Sequence, residues 1–249
     1  RMRIDRTDRS LFAGWWFTFD RALFAAIAAI CAAGIVVSLA ASPAIALKRG
    51  LPTFYFVERH VAFVLLALSA MIAVSMLTPK LVRRGAAILC LAAIAAMIAT
   101  LTVGPEINGA RRWLRLGAFS LQPSEFAKPA FAVLTAWLLA ESKHRPDMPA
   151  VALSIGLFAI LAGLLTLQPD IGQTLLITIV WLALFYMSGQ RLIWVTSFAT
   201  AGAAALAAAY FLLPHVRSRI DRHLGGAGDT YQVDRALQSF VEGGFFGKG

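Results

Sequence analysis

Seven apolar stretches constrain this chain more than any other feature. They lie at about 21–42, 57–78, 84–104, 123–141, 148–167, 170–188 and 192–213. Each is near 17 residues or longer, enough to cross a bilayer core roughly 30 Å thick at about 1.5 Å of rise per residue. Composition agrees: 59% of the 249 residues are apolar and only 14% are charged, whereas soluble domains average about a quarter charged. The connectors, among them Thr78-Pro79-Lys80, Glu141 to Asp147 and Ser188-Gly189-Gln190-Arg191, carry the turn formers and charges that end helices. No soluble domain interrupts the row. The first stretch is followed by small residues from Ser38 to Ala46, as a cleaved leader would be. Its apolar core is too long for one, so an uncleaved first span is expected. The expected fold is all-α, a polytopic membrane helix bundle with about seven transmembrane helices.

The organisation follows directly: a polar N-terminal segment at 1–20, the bundle at 21–213, and a hydrophilic stretch from 214 to 249. Cys31 and Cys90 fall inside expected spans without CxxC spacing or neighbouring ligands, so neither a disulfide nor a metal site is indicated. The net charge of +10 would suggest nucleic acid in a soluble protein. Here the bases sit in loops beside the membrane, and anionic lipid head groups are the natural partner. With a cytoplasmic N-terminus, the inner face collects Arg1, Arg3, Arg6, Arg9, Arg21, Lys80, Arg83, Arg84, Lys143, Arg145 and Arg191. The outer short loops hold Lys48, Arg49, Arg59, Arg111, Arg112 and Arg115. The excess of basic residues on short loops favours that orientation.

The outer arginines run against this rule. Asn108-Gly109-Ala110-Arg111-Arg112-Trp113-Leu114-Arg115 reads either as a head-group anchor with Trp113 at the interface, or as forked guanidinium donors recognising a phosphorylated ligand. The fourth span then opens with Pro123 in its first turn, where Pro is tolerated. Glu125 and Lys128, three residues apart, share one helix face. Lys128 sits about 7–8 Å below the helix start. The two form a structural ion pair near the surface or line a polar, outward-opening cavity, since charges in a span usually face protein or water. Asp170, in Gln168-Pro169-Asp170-Ile171-Gly172-Gln173-Thr174, stands where a carboxylate caps the sixth helix, at the same membrane level as Glu125 and the arginines.

Beyond Pro214 the chain passes His215, Arg217, Arg219, Asp221, Arg222 and His223 into a glycine-rich run at 224–229. His215 and His223 have no ligand spacing and read as surface residues. Val233, Ala236, Leu237, Phe240 and Val241 then repeat at helical spacing, ended by Gly243-Gly244, as in a helix lying on the membrane or capping a cavity. The run Gly243-Gly244-Phe245-Phe246-Gly247-Lys248-Gly249 fails as a phosphate loop, because its spacing is one residue short and Gly249 replaces the required Ser or Thr. An ending at this point suggests a truncated product.

In this order, Asn108 to Leu114, Leu121 to Lys128, Gln168 to Gly172, Tyr231-Gln232, and the glycine-rich ending resemble the SEDS family (shape, elongation, division and sporulation), which includes FtsW, RodA and SpoVE. The Gln122 to Phe131 region and the ending lean towards the division (FtsW) branch. The resemblance implies a ten-helix fold, of which seven are present here, in the bacterial inner (plasma) membrane. It implies a peptidoglycan glycosyltransferase that polymerises lipid II, the undecaprenyl-pyrophosphoryl disaccharide-pentapeptide, during septal wall synthesis. Its partners would be a class B penicillin-binding protein and other divisome membrane proteins. No nucleotide is consumed, and a divalent cation is left open. Such chemistry needs a base for the attacking hydroxyl and cations for the pyrophosphate leaving group.

By the same resemblance, Arg111 and Arg112 contact pyrophosphate, Trp113 walls the sugar or lipid, and Glu125, Lys128 and Asp170 line the site. The family's catalytic aspartate follows a His-Thr motif that does not occur up to Gly249, so it is expected beyond that residue. Two other functions fit the same outline: a lipid II flippase, which should carry polar residues in both membrane halves, and a non-catalytic divisome scaffold, which would not need the Arg-Trp loop.

Overall fold

The computed structural model describes residues 15–17, 19–107, 109–117, 119–212, 216–217, 221 and 231–244. The basic residues from Arg1 to Arg9, Asn108, His215, Arg219, Arg222, His223, the run 224–229 and the segment 245–249 lie outside this set. The seven apolar stretches are helices: α1 (Arg21–Lys48), α2 (Tyr55–Ser75), α3 (Pro79–Val103), α4 (Pro123–His144), α5 (Ala150–Leu167), α6 (Ile171–Met187) and α7 (Leu192–Leu212). Helix α8 (Tyr231–Gly243) follows in the hydrophilic region. Helices α1, α2, α3 and α5 are long and apolar enough to cross a membrane on their own terms. Helix α6 has 17 residues, about 26 Å at the usual rise. Helix α4 is less apolar because Glu125, Lys128, Glu141 and Lys143 fall within it.

By contact density the chain divides at Leu89 and Cys90. In the first unit, α1 begins where the Asp20 side chain accepts the Leu23 N–H at 3.0 Å, an N-cap that satisfies one otherwise unpaired donor. The helix continues through Pro43 to Lys48, six residues past the expected end, because a Pro is tolerated within membrane helices. Helix α2 packs along α1, with Gly34 facing the His60 ring. Outward, Ile30, Val36, Val37, Leu65 and Leu66 are each at least 60% exposed. An apolar surface of this extent calls for hydrocarbon rather than water. Trp15 donates to the Ser75 hydroxyl at 2.8 Å, and the Arg21 guanidinium lies 4.6 Å from the Trp16 ring centre. Aromatic and basic side chains gathered at one end of a helix pair are typical of the membrane interface.

The second unit has the larger core: Ala93 and Met97 from α3; Ala127, Phe131 and Leu139 from α4; Leu161 and Leu165 from α5; Ile177, Trp181 and Phe185 from α6. At its centre Trp181 stacks on Phe158 and Phe185, with centroids 5.1 and 4.9 Å apart, and meets Phe198 edge-on at 5.1 Å. This ties α5, α6 and α7 through offset and edge contacts that favour aromatic pairs. The Trp181 indole N–H, buried there, has no hydrogen-bond partner among the described residues.

The connector between α3 and α4 is a feature the sequence reading did not include. Leu114–Leu116 (β1) and Phe119–Leu121 (β2) form an antiparallel hairpin pairing Leu114 with Leu121, Arg115 with Ser120 and Leu116 with Phe119. Gly117 leads the turn with φ +62°, as a two-residue turn with Gly first requires. Just upstream, Ile107 and Ala110 exchange backbone hydrogen bonds of 3.0 and 3.2 Å around Gly109, φ +73°. Helix α8 leaves Leu237, Phe240 and Val241 at least 58% exposed, as the amphipathic pattern predicts, while the side chain of Val233 lies outside the described set. It ends at Gly243, with Gly244 at φ +56° donating to the Phe240 carbonyl at 3.1 Å, the left-handed cap that glycine accommodates.

Candidate functional site

The antiparallel run of α3 to α6 places the C-terminal ends of α3 and α5 and the N-terminal ends of α4 and α6 at one end of the second unit. The hairpin connector and the α5–α6 turn therefore meet. Arg112 reaches across 56 residues of sequence: its Nε donates to the Gln168 carbonyl at 3.0 Å and one Nη donates to the Pro169 carbonyl. The other Nη lies 3.3 Å from an Asp170 carboxylate oxygen. The two carbonyls close α5, where a helix leaves acceptors unpaired and carries partial negative charge. A planar fork of donors fits both at once.

Asp170 is buried, and its carbonyl accepts from the Thr174 N–H at 3.0 Å and the Thr174 hydroxyl at 2.9 Å. Its side chain makes no cap bond to α6, so the capping expected of this carboxylate is replaced by the ion pair with Arg112. Gln168 completes the joint. Its side-chain amide is buried and donates to the Met97 carbonyl at 3.2 Å and to the Thr100 hydroxyl at 2.5 Å. The turn is thus fastened to α3 on one side and to the arginine loop on the other.

A second cluster lies between α4 and α6. The Lys128 ammonium sits 2.8 Å from both Glu125 carboxylate oxygens and 2.8 Å from the Gln173 amide oxygen. The Gln173 NH₂ points back to Glu125 at 3.5 Å. The Lys128 side chain is 21% exposed and that of Glu125 50%, so the cluster opens to the surface at the carboxylate. Pro129, next in α4, has no N–H to give the Glu125 carbonyl. Gln173 is one helical turn on from Asp170, so the two clusters share the first turn of α6.

Of the six residues singled out from the sequence, Arg112 and Asp170 form one contact and Glu125 and Lys128 another. Arg111 stands apart, exposed and 3.7 Å from Glu106. Trp113 is half-buried just after Arg112. Thr100, the Gln168 side chain and Gln173 were not singled out. Their partners lie 45 to 71 residues away, beyond any spacing rule, and the only hint is an amide within an apolar run. Among the described residues, no three His, Cys, Asp or Glu side chains gather as a metal site would require. Chemically, the arrangement offers fixed cations and amide groups at one end of the helices.

The FtsW, RodA and SpoVE family model, described as "Cell cycle protein", matches residues 21–249. A protein named "Probable peptidoglycan glycosyltransferase FtsW" from Caulobacter vibrioides is 41% identical over 98% of this chain and 63% of its own length. One of the same name from Tolumonas auensis is 30% identical over 93% of this chain and 61% of its own. The chain therefore spans a little under two thirds of the length of these relatives. Among solved structures, the rod shape determining protein RodA of Thermus thermophilus matches with a TM-score of 0.57 and 29% identity, covering 75% of this chain and 60% of that one. A peptidoglycan synthase complex, described as coordinating polymerization and crosslinking, contains a chain matching with a TM-score of 0.55 and 29% identity over 80% of this chain and 62% of that one.

Proposed function

The chain belongs to the FtsW, RodA and SpoVE family, and from that premise we propose that it is the membrane-embedded part of a peptidoglycan glycosyltransferase that polymerises lipid II during division. The observation that carries this reading is the gathering of Arg112, Asp170, Glu125 and Lys128 at a single end of the helices. Charge there suits a one-sided site for an anionic lipid, whereas a flippase would need polar groups in both membrane halves.

In this reading a sugar hydroxyl attacks the anomeric carbon, the bond to the pyrophosphate breaks, and the lipid pyrophosphate leaves with the electron pair. Lys128 and Arg111 stabilise the leaving charge. Arg112 holds the α5–α6 turn, Trp113 walls the sugar or lipid, and Asp170 anchors Arg112. The base is an aspartate after a His-Thr motif, which is not among these 249 residues. The site faces the outside of the bacterial inner membrane and the N-terminal segment 1–20 faces the cytoplasm. Residues 21–213 supply seven spans of a ten-helix fold, and 214–249 open the large outer loop. A class B penicillin-binding protein crosslinks the product.

Fixed cations at a developing negative charge are each worth about 100-fold or more. Lys128→Ala and Arg111→Ala in the whole encoded protein should therefore each slow glycan polymerisation from purified lipid II at least tenfold, with membrane insertion and partner binding intact. Wild-type rates in both variants would remove the site assignment.

A further inference from the structure

An exposed Lys paired with a Glu three residues away gains little from the pair, about 0–1 kcal/mol, and its long side chain keeps most of its freedom. Lys128 is held more firmly than that. Besides Glu125 on its own helix, its ammonium meets the Gln173 amide oxygen at 2.8 Å from α6, so two helices fix where the charge sits. The second acceptor is neutral. A carboxylate at 173 would place two negative groups on one ammonium and leave the cluster net negative where an anion has to approach. An aliphatic residue would let the ammonium fall back on Glu125 alone. A glutamine localises the cation without cancelling its charge, and its NH₂ group lies 3.5 Å from a Glu125 carboxylate oxygen.

We propose that Gln173 is a positioning residue that sets Lys128 against the anionic pyrophosphate of the substrate. This rests on the reading of Lys128 as a pyrophosphate contact. Gln173 acts through Lys128, so its effect falls on kcat/KM, as that of Lys128 does, and vanishes when Lys128 is absent.

The test is steady-state polymerisation of purified lipid II by the whole encoded protein with its crosslinking partner, in four forms: Gln173→Leu, Gln173→Glu, Lys128→Ala, and Lys128→Ala with Gln173→Leu. A hydrogen bond to a charged group is worth roughly tenfold, so Gln173→Leu lowers kcat/KM about tenfold. Gln173→Glu, of the same shape, lowers it further. In the Lys128→Ala background, Gln173→Leu changes kcat/KM by no more than about twofold, the margin within which independent sites add. A wild-type kcat/KM in both Gln173 variants overturns the proposal, as does an undiminished fall in the Lys128→Ala background, which would show Gln173 acting on packing. A wild-type KM and kcat in Lys128→Ala would instead remove the functional reading of Lys128, and with it this one. A deficient Lys128→Ala beside a normal Gln173→Leu removes only this one.

Discussion

Replacing Arg112 by Ala separates a brace from a ligand contact. The guanidinium makes three interactions, with the Gln168 and Pro169 carbonyls and with Asp170. Its side chain is only 23% exposed and that of Asp170 10%. Hydrogen bonds to a charged group are worth about 1.5–3 kcal/mol each. Breaking a buried ion pair from one side costs about 3–5 kcal/mol, because the remaining charge is stranded. The contacts share one group and do not add fully, and Asp170 retains the helix N-terminus beside it. A loss of about 3 kcal/mol, localised to the turn, is the expected result. At about 1.4 kcal/mol per tenfold, the amides of Asp170 and Thr174, bonded at 2.8 Å to Leu165 and 3.0 Å to Asp170, should exchange with deuterium about 100-fold faster where exchange runs through local opening. Arg112→Lys should restore less than half of the protection, since one ammonium cannot reproduce a planar fork. Unchanged exchange at residues 165–174, together with lost polymerisation, would refute the brace and leave Arg112 as a direct ligand contact.

Two further outcomes concern the fold. Trp181→Ala should destabilise the second unit by about 3–5 kcal/mol. Trp181→Phe should cost less, about 1–2 kcal/mol, because one stacked ring is kept, the cavity left by the lost ring is small and the indole N–H gives up no partner among the described residues; thermal unfolding in detergent that ranks the two alike would contradict the packing account. Gly117→Val forces a β-branched residue to φ +62° at a cost of about 1–3 kcal/mol. It should make the segment 104–122 more sensitive to limited proteolysis, and an unchanged digestion pattern would count against the turn.

The helices were readable from the sequence because a membrane imposes length and apolarity on each span, and α4 to α7 begin and end within about three residues of the expected positions. Helix α2 does so too, whereas α1 and α3 differ for local reasons. Helix α1 runs through Pro43, and α3 starts at Pro79, taking Lys80, Arg83 and Arg84 into its first turns. Backbone hydrogen bonding does not stop where the hydrocarbon does, and long basic side chains can snorkel. The Asn108-Gly109 turn signal belongs to the Ile107–Ala110 bridge, and the hairpin beyond it is not legible because three-residue strands are shorter than any periodicity test can resolve. In the site, Glu125 with Lys128 follows from helical spacing. The choice of Arg112 over Arg111 and Arg115 as the group that grips the α5–α6 turn does not, because it depends on which donor faces a carbonyl 56 or 57 residues away.

The hairpin makes the connector sensitive to its length more than to its composition. Side chains alternate across a strand, so Leu114 and Leu121, paired and half-buried, look one way, while Arg115 and Ser120, paired and exposed, look the other. Any polar pair would serve at the second position and any apolar pair at the first. Removing or adding a single residue in either strand would turn every later side chain to the opposite face and shift the frame that delivers Arg112 to the α5–α6 turn. Among surface loops, which usually absorb insertions with little consequence, this one behaves as a measured spacer.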